Sequence, residues 1–118
     1  MIETGYAIIF ITAGSEAEAE KLSSIILRDH HAACVNIVEG IKSTYWWQGK
    51  LESARENLLI VKTRQSQVDG ITRIIRENHS YNVPEVVVVP VTGGNPDYLE
   101  WIGSEVPEIR EGMKKYAE

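Results

Sequence analysis

Cys34 and His79 are the residues of this 118-residue chain whose types best suit metal chemistry. A thiolate is a soft ligand for copper and imidazole suits that metal too, so the pair makes a sensible site if the fold brings them together. The same two groups offer a nucleophile and a base, provided the imidazole stands within hydrogen-bond reach of the thiol. Each has a plainer reading beside that one. A free cysteine in an apolar strand packs as a small hydrophobe, and an imidazole just past a helix can bond a terminal carbonyl. His30 and His31 follow an earlier helical segment in the same way and read as a solvated C-terminal turn, with metal binding as the lesser alternative.

A second constellation is polar and comprises Glu56, Lys62, Thr63, Tyr81 and Glu85. Lys62 ends the apolar run Leu58-Leu59-Ile60-Val61, and a charge on such a strand needs a partner or a watery cleft. Glu85 or a small anionic ligand would supply one. No metal signature within one chain accompanies these residues, for the sequence has no CxxC, no HExxH and no EF-hand loop. Gly93-Gly94 lacks the spacing of a phosphate loop and reads as a turn. A symmetric oligomer eases the shortage of ligands, because one side chain repeated around an axis can complete a site.

The elements that must position these side chains alternate regularly. Tyr6 to Thr12 is an Ile-rich run that predicts a buried strand. Ser15-Glu16-Ala17-Glu18 has the form of a capping box, and Ala19, Leu22, Ile25 and Ile26 give the following helix an inward stripe. Ala32 to Thr63 predicts one long β-hairpin, with a two-residue turn at Gln48-Gly49. That turn sets Leu51 opposite Trp46, Val35 opposite Lys62 and Cys34 opposite Thr63. Ser66-Gln67-Val68-Asp69 opens a second helix whose Val68, Ile71, Ile74 and Ile75 recur at helical spacing up to Asn78. Val86 to Val89 is a strand that needs burial on both faces. Gly93-Gly94 breaks it, and Asn95-Pro96 caps a last helix bearing Tyr98, Leu99, Trp101 and Ile102. The polar tail from Met113 to Glu118 is expected to fray.

The order β-α-β-β-α-β followed by a short helix predicts an α+β fold of the ferredoxin-like split βαβ kind, with residues 1–118 as a single domain. Two right-handed crossovers put both main helices on one sheet face. Ile8 to Ile11 and Val86 to Val89 are nevertheless apolar on alternating sides, so the opposite face needs another apolar cover, read as other subunits. The hairpin makes the same demand. Arms of about fifteen residues reach on the order of 50 Å, beyond the usual length of a strand. Tyr45, Trp46 and Trp47 near its tip would invite aggregation if left on free edges, which assigns them to an oligomer interface.

Composition narrows the partners. Seventeen Asp plus Glu against twelve Lys plus Arg give a net charge of −5, and with no basic run this disfavours nucleic acid and anionic lipid. No apolar segment approaches the roughly twenty residues of a membrane span, and the first residues lack a signal peptide's basic start, so the expected location is the cytoplasm. Cys34 is the single cysteine, which suits a reducing compartment.

Ala32-Ala33-Cys34-Val35-Asn36-Ile37, the tip Ser43-Thr44-Tyr45-Trp46-Trp47-Gln48-Gly49-Lys50, the pair Lys62-Thr63 and His79-Ser80-Tyr81-Asn82-Val83-Pro84-Glu85 together resemble the CutA divalent-cation tolerance family. The resemblance runs from about Tyr6 to Ile102. It implies a cytoplasmic homotrimer of ferredoxin-like subunits, tolerance of copper and other divalent metals, and ligand sensing at clefts between subunits. It departs in one stretch, where the family usually reads His-Pro-Tyr-Glu-x-Pro-Glu. Ser80 stands for the first proline, which frees the backbone of His79, and Asn82 stands for the acidic residue, which removes a hard anionic oxygen. The favoured expectation is a non-enzymatic trimer that binds copper or another divalent metal ion. The alternatives are a trimeric module that binds a small anionic metabolite through Lys62 and His79, and an enzyme with Cys34 as nucleophile.

Overall fold

The Ile-rich run becomes the strand on which the rest of the fold is hung. In the computed structural model, which describes residues 3–108, β1 (Tyr6–Ala13) is followed by α1 (Glu16–Arg28), β2 (Cys34–Trp47), β3 (Lys50–Arg64), a 3-10 turn at Gln65–Gln67, α2 (Val68–Asn78), β4 (Val86–Pro90) and α3 (Pro96–Glu105). The four strands form one antiparallel sheet in the order β2-β3-β1-β4. The expected order of elements is the observed one. The tail from Met113 to Glu118 lies outside the described residues.

Local chemistry accounts for the boundaries. Ser15 Oγ accepts the Glu18 N–H at 3.1 Å, as a helix N-cap should. Asn95 caps α3 by accepting the Asp97 N–H at 3.1 Å, with Pro96 beginning the helix. At the hairpin turn Gln48 and Gly49 have φ of +50° and +79°, the two positive values that a tight turn matching strand twist requires.

One sheet face is sealed. Ile9, Ile11 and Ala13 of β1 and Leu59 and Val61 of β3 pack with Ala19, Leu22 and Ile26 of α1 and Ile71 and Ile75 of α2, all without solvent exposure. Ile25 stands half-buried at the margin of the stripe. Among the described residues, the opposite face has only α3 at one end. There Arg64 donates from Nε to the Val106 carbonyl (2.6 Å) and from Nη2 to the Gly103 carbonyl (2.8 Å), setting a cation at the negative end of the helix. His30 Nδ1 donates to the Glu105 carbonyl at 2.8 Å, and buried His31 bonds Gln67 at 3.0 Å. His30 is exposed, as a solvated turn requires, and also holds the end of α3, whereas His31 is buried against the 3-10 turn, contrary to that expectation.

The base of the hairpin is shifted from its expected register. Trp46 does face Leu51, but the ladder slips between Val38 and Ile41, where Glu39 and Gly40 together oppose Asn57. Gly40 has φ +70° and its N–H reaches Asn57 Oδ1 at 3.3 Å, while Arg55 Nη1 holds its carbonyl at 3.1 Å. Such a bulge adds one residue to one strand. Cys34 accordingly pairs with Lys62 and not Thr63, and Val35 pairs with Val61 and not Lys62.

Candidate functional site

The bulge decides where the chemical side chains go. Alternation along β3 sends Thr63 toward the helices, where it is fully buried and donates its hydroxyl to the His31 carbonyl. Lys62 points to the other face, paired with Cys34 on one side and Ile8 on the other. Its ammonium lies 5.9 Å from the centre of the Tyr98 ring, which in turn packs on Trp101 at 5.5 Å. Cys34 is a half-buried free thiol whose Sγ is 3.9 Å from Asn36 Oδ1.

Glu56, Tyr81 and Glu85 gather at the far end of the same face. The Tyr81 hydroxyl donates to Glu56 Oε2 at 2.9 Å. Burial, then the bond and charge of Glu56, push the Tyr81 phenol up to about 12. Glu85 receives a hydrogen bond from Thr12, yet burial and the nearby Glu56 charge still raise its carboxyl above the usual value. Gly14 makes room for this pairing, since a Cβ there would come within 2.9 Å of the Tyr81 hydroxyl oxygen.

The five polar residues thus fall in three places: Thr63 on the helix side, Lys62 on the other face, and Glu56, Tyr81 and Glu85 together at the far end of that face. Thr12 and Ile8 mark the two ends along β1, about 13 Å apart at strand rise, so Glu85 is no partner for Lys62. The expected pairing of Cys34 with His79 fails for the same reason. The His79 side chain bonds the Thr12 carbonyl from Nε2 at 2.7 Å, accepts the Tyr81 N–H on Nδ1 at 3.0 Å, and has no solvent exposure. Both ring nitrogens are occupied and Cys34 is at the other end of the face, so neither a two-ligand site nor a thiol–imidazole pair forms within one chain. Among the described residues no three His, Cys, Asp or Glu side chains converge on a possible metal position.

Glu18 is the residue that sequence reasoning placed in only half its role. Its Oε1 accepts the Gly14 N–H (3.3 Å) and the Ser80 hydroxyl (3.1 Å), while Oε2 accepts the Ser80 N–H (2.7 Å). Burial by itself would raise this carboxyl, but the bonds from Ser80 and Gly14 and the adjacent His79 outweigh it and hold it below its ordinary value. The capping-box spacing was the available signal for a carboxylate near Gly14. Nothing local pointed to Ser80, 62 residues away.

At the hairpin tip Tyr45, Trp46, Trp47 and Leu51 are exposed, Trp46 by 73%. Together with Val87 (50%) and Val89 (41%) on the sheet, they leave the expected apolar cover unfilled by the described residues.

This architecture, a four-stranded antiparallel α+β sheet with three helices, is that of solved CutA proteins. It matches CutA1 from Oryza sativa with a TM-score of 0.86 at 41% identity, covering 91% of this chain and 98% of that one. The periplasmic divalent cation tolerance protein CutA from Archaeoglobus fulgidus gives 0.84 at 39% identity, covering 86% and 99%. In sequence, the chain is 44% identical over 101 residues to the chloroplastic CutA 1 of Oryza sativa, covering 86% of itself and 57% of that relative. With the Escherichia coli divalent-cation tolerance protein CutA the figures are 36% over 103 residues, 87% and 92%. The chain spans little more than half the length of the plant relatives it matches. The family described as CutA1 divalent ion tolerance protein matches residues 7–105, and the chain belongs to that family.

Proposed function

We propose that this chain is the subunit of a cytoplasmic homotrimer, ferredoxin-like in topology, that serves divalent-cation tolerance by holding copper or a related divalent ion where copies meet, without catalysis. The observation that carries this reading is the face of the sheet that the described residues leave uncovered. Val87 and Val89 lie beside half-buried Phe10, Ile8 and Ile60, and Cys34 stands at the edge of the same face. A second copy would cover the apolar rows. It would also bring further ligands to a thiolate that lacks them in one chain. A lone thiol with no partner for a disulfide suits a reducing compartment.

Light scattering should give three times the chain mass at micromolar concentration. Calorimetric titration with copper should give binding that Cys34→Ser weakens at least tenfold while the trimer persists. A monomeric mass, or unchanged copper affinity in the variant, overturns the reading.

One observation favours a second reading. Lys62 is half-buried with its ammonium against an aromatic ring, and no carboxylate among the described residues neutralises it. A small anionic ligand at the subunit boundary would fill that role. Lys62→Met should then keep the trimer and lose the anion, whereas failure to assemble would make Lys62 structural.

A further inference from the structure

The loop between α2 and β4 holds a buried imidazole that the metal reading leaves without work. A carbonyl oxygen only accepts and an amide N–H only donates, so the contacts of His79 with Thr12 and Tyr81 define a neutral ring, protonated at Nε2 and accepting at Nδ1. The same Nδ1 lies 3.8 Å from Glu18 Oε2. It therefore sits between an N–H donor that needs its lone pair and a carboxylate that would welcome its proton.

The surroundings are asymmetric in charge. Glu18 faces the ring from α1, Tyr81 packs against it tilted by 50° at a centroid distance of 4.6 Å, and Glu56 on β3 is reached through the Tyr81 hydroxyl. Glu85 ahead of β4 is reached through Thr12, the uncharged β1 residue whose carbonyl bonds the ring. The last turn of α2 carries Arg76 and Glu77, both exposed to solvent. The ionised group in contact range is Glu18, which its own hydrogen bonds keep charged.

We propose that His79 is a proton-operated latch. A proton taken up from solvent at Nδ1 ends the bond from the Tyr81 N–H, turns the new N–H toward the Glu18 carboxylate, and releases Tyr81 from Glu56. Two N–H groups cannot share the position that one lone pair held. The imidazolium gains a charge-assisted bond to Glu18 in exchange. Ser80 remains tied to Glu18 on either side of the switch, so the movement is confined to Tyr81 and the loop residues beyond it.

Solution NMR of the full chain, with nitrogen-15 in histidine and carbon-13 at tyrosine Cζ, tests the latch between pH 8 and 5. His79 should show the Nε2–H tautomer at pH 8. On acidification the Tyr81 signal, assigned with Tyr81→Phe, should move in the same titration as the His79 nitrogens. His79→Gln should lose that movement, and Glu18→Gln should shift both titrations together to lower pH. An Nδ1–H tautomer, a ring that stays neutral to pH 5, or a Tyr81 signal that ignores His79 overturns the proposal. So does a Tyr81 titration that survives in His79→Gln. Should that variant not fold, the tautomer and the coincidence of the two titrations in the parent chain decide the matter.

Discussion

The two faces of the sheet are made of much the same residues and have opposite fates. On the helix side Ile9, Ile11, Leu59 and Val61 are fully buried within the chain. On the other side Phe10 and Ile60, at neighbouring positions of the same strands, and Val87 and Val89 on β4 stay partly exposed. Apolar content therefore does not tell a face that the chain covers from one that it leaves exposed. What distinguishes them is the supply of covering elements, since α1 and α2 both lie on one side while α3 reaches only one end of the other.

The sharpest way to probe that difference is to remove volume from each side. Leu59→Ala cuts a fully buried side chain and should destabilise the fold by about 2–5 kcal/mol, a large fraction of a small domain's stability. Denaturant unfolding measures it, and a loss below about 1 kcal/mol would mean the helix side is less tightly packed than its burial implies. Trp46→Ala at the overhanging tip should act on association instead, with a loss of about 2 kcal/mol if the indole is an interface anchor. Sedimentation across a dilution series would show dissociation at higher concentration. A dilution curve identical to the parent's would remove the tip from the interface.

A smaller effect belongs to the polar end of the open face. Because burial and Glu56 raise the Glu85 carboxyl above its ordinary value of 4.5, the folded chain binds that proton more tightly than the unfolded one. Stability therefore falls as pH rises through the window above 4.5. Glu85→Gln should remove this dependence and stabilise the protein at neutral pH, by under about 1 kcal/mol for so exposed a group. The gain should vanish once the carboxyl is protonated in both states. Thermal melts at about pH 7 and about pH 4 make the comparison, and a gain at both would point to packing and away from charge.

Much of this was legible in the sequence because the relevant signals are local. Ser15 with Glu18, Asn95 with Pro96, Gln48-Gly49 and the spacing of Ile71 and Ile75 each fix an element within a few residues. The register at the hairpin base was not legible. A ladder counted back from the turn predicts Cys34 opposite Thr63, and only the extra residue at Glu39-Gly40 moves it to Lys62. The site suffered likewise. His79 looked like a ligand because its type permits it, while the groups that occupy its nitrogens, the Thr12 carbonyl and the Tyr81 N–H, are backbone atoms that no residue pattern displays. Ser80 looked like the loss of a proline. It is also the gain of an N–H, since a proline there could not donate to Glu18.

The bulge has a further consequence for the hairpin as a mechanical arm. Across it the phase of β2 changes, so that odd-numbered Ile41, Tyr45 and Trp47 join even-numbered Cys34 and Asn36 on the face of Glu56, Ile60 and Lys62. Deleting Gly40 would leave the pairings on both sides of the bulge as they are, because Glu39 alone could then oppose Asn57. It would remove the local bend and added twist that a bulge imposes. The direction in which the arm points is thereby encoded separately from the aromatic groups it carries, and a single-residue deletion could re-aim Trp46 and Trp47 without altering either.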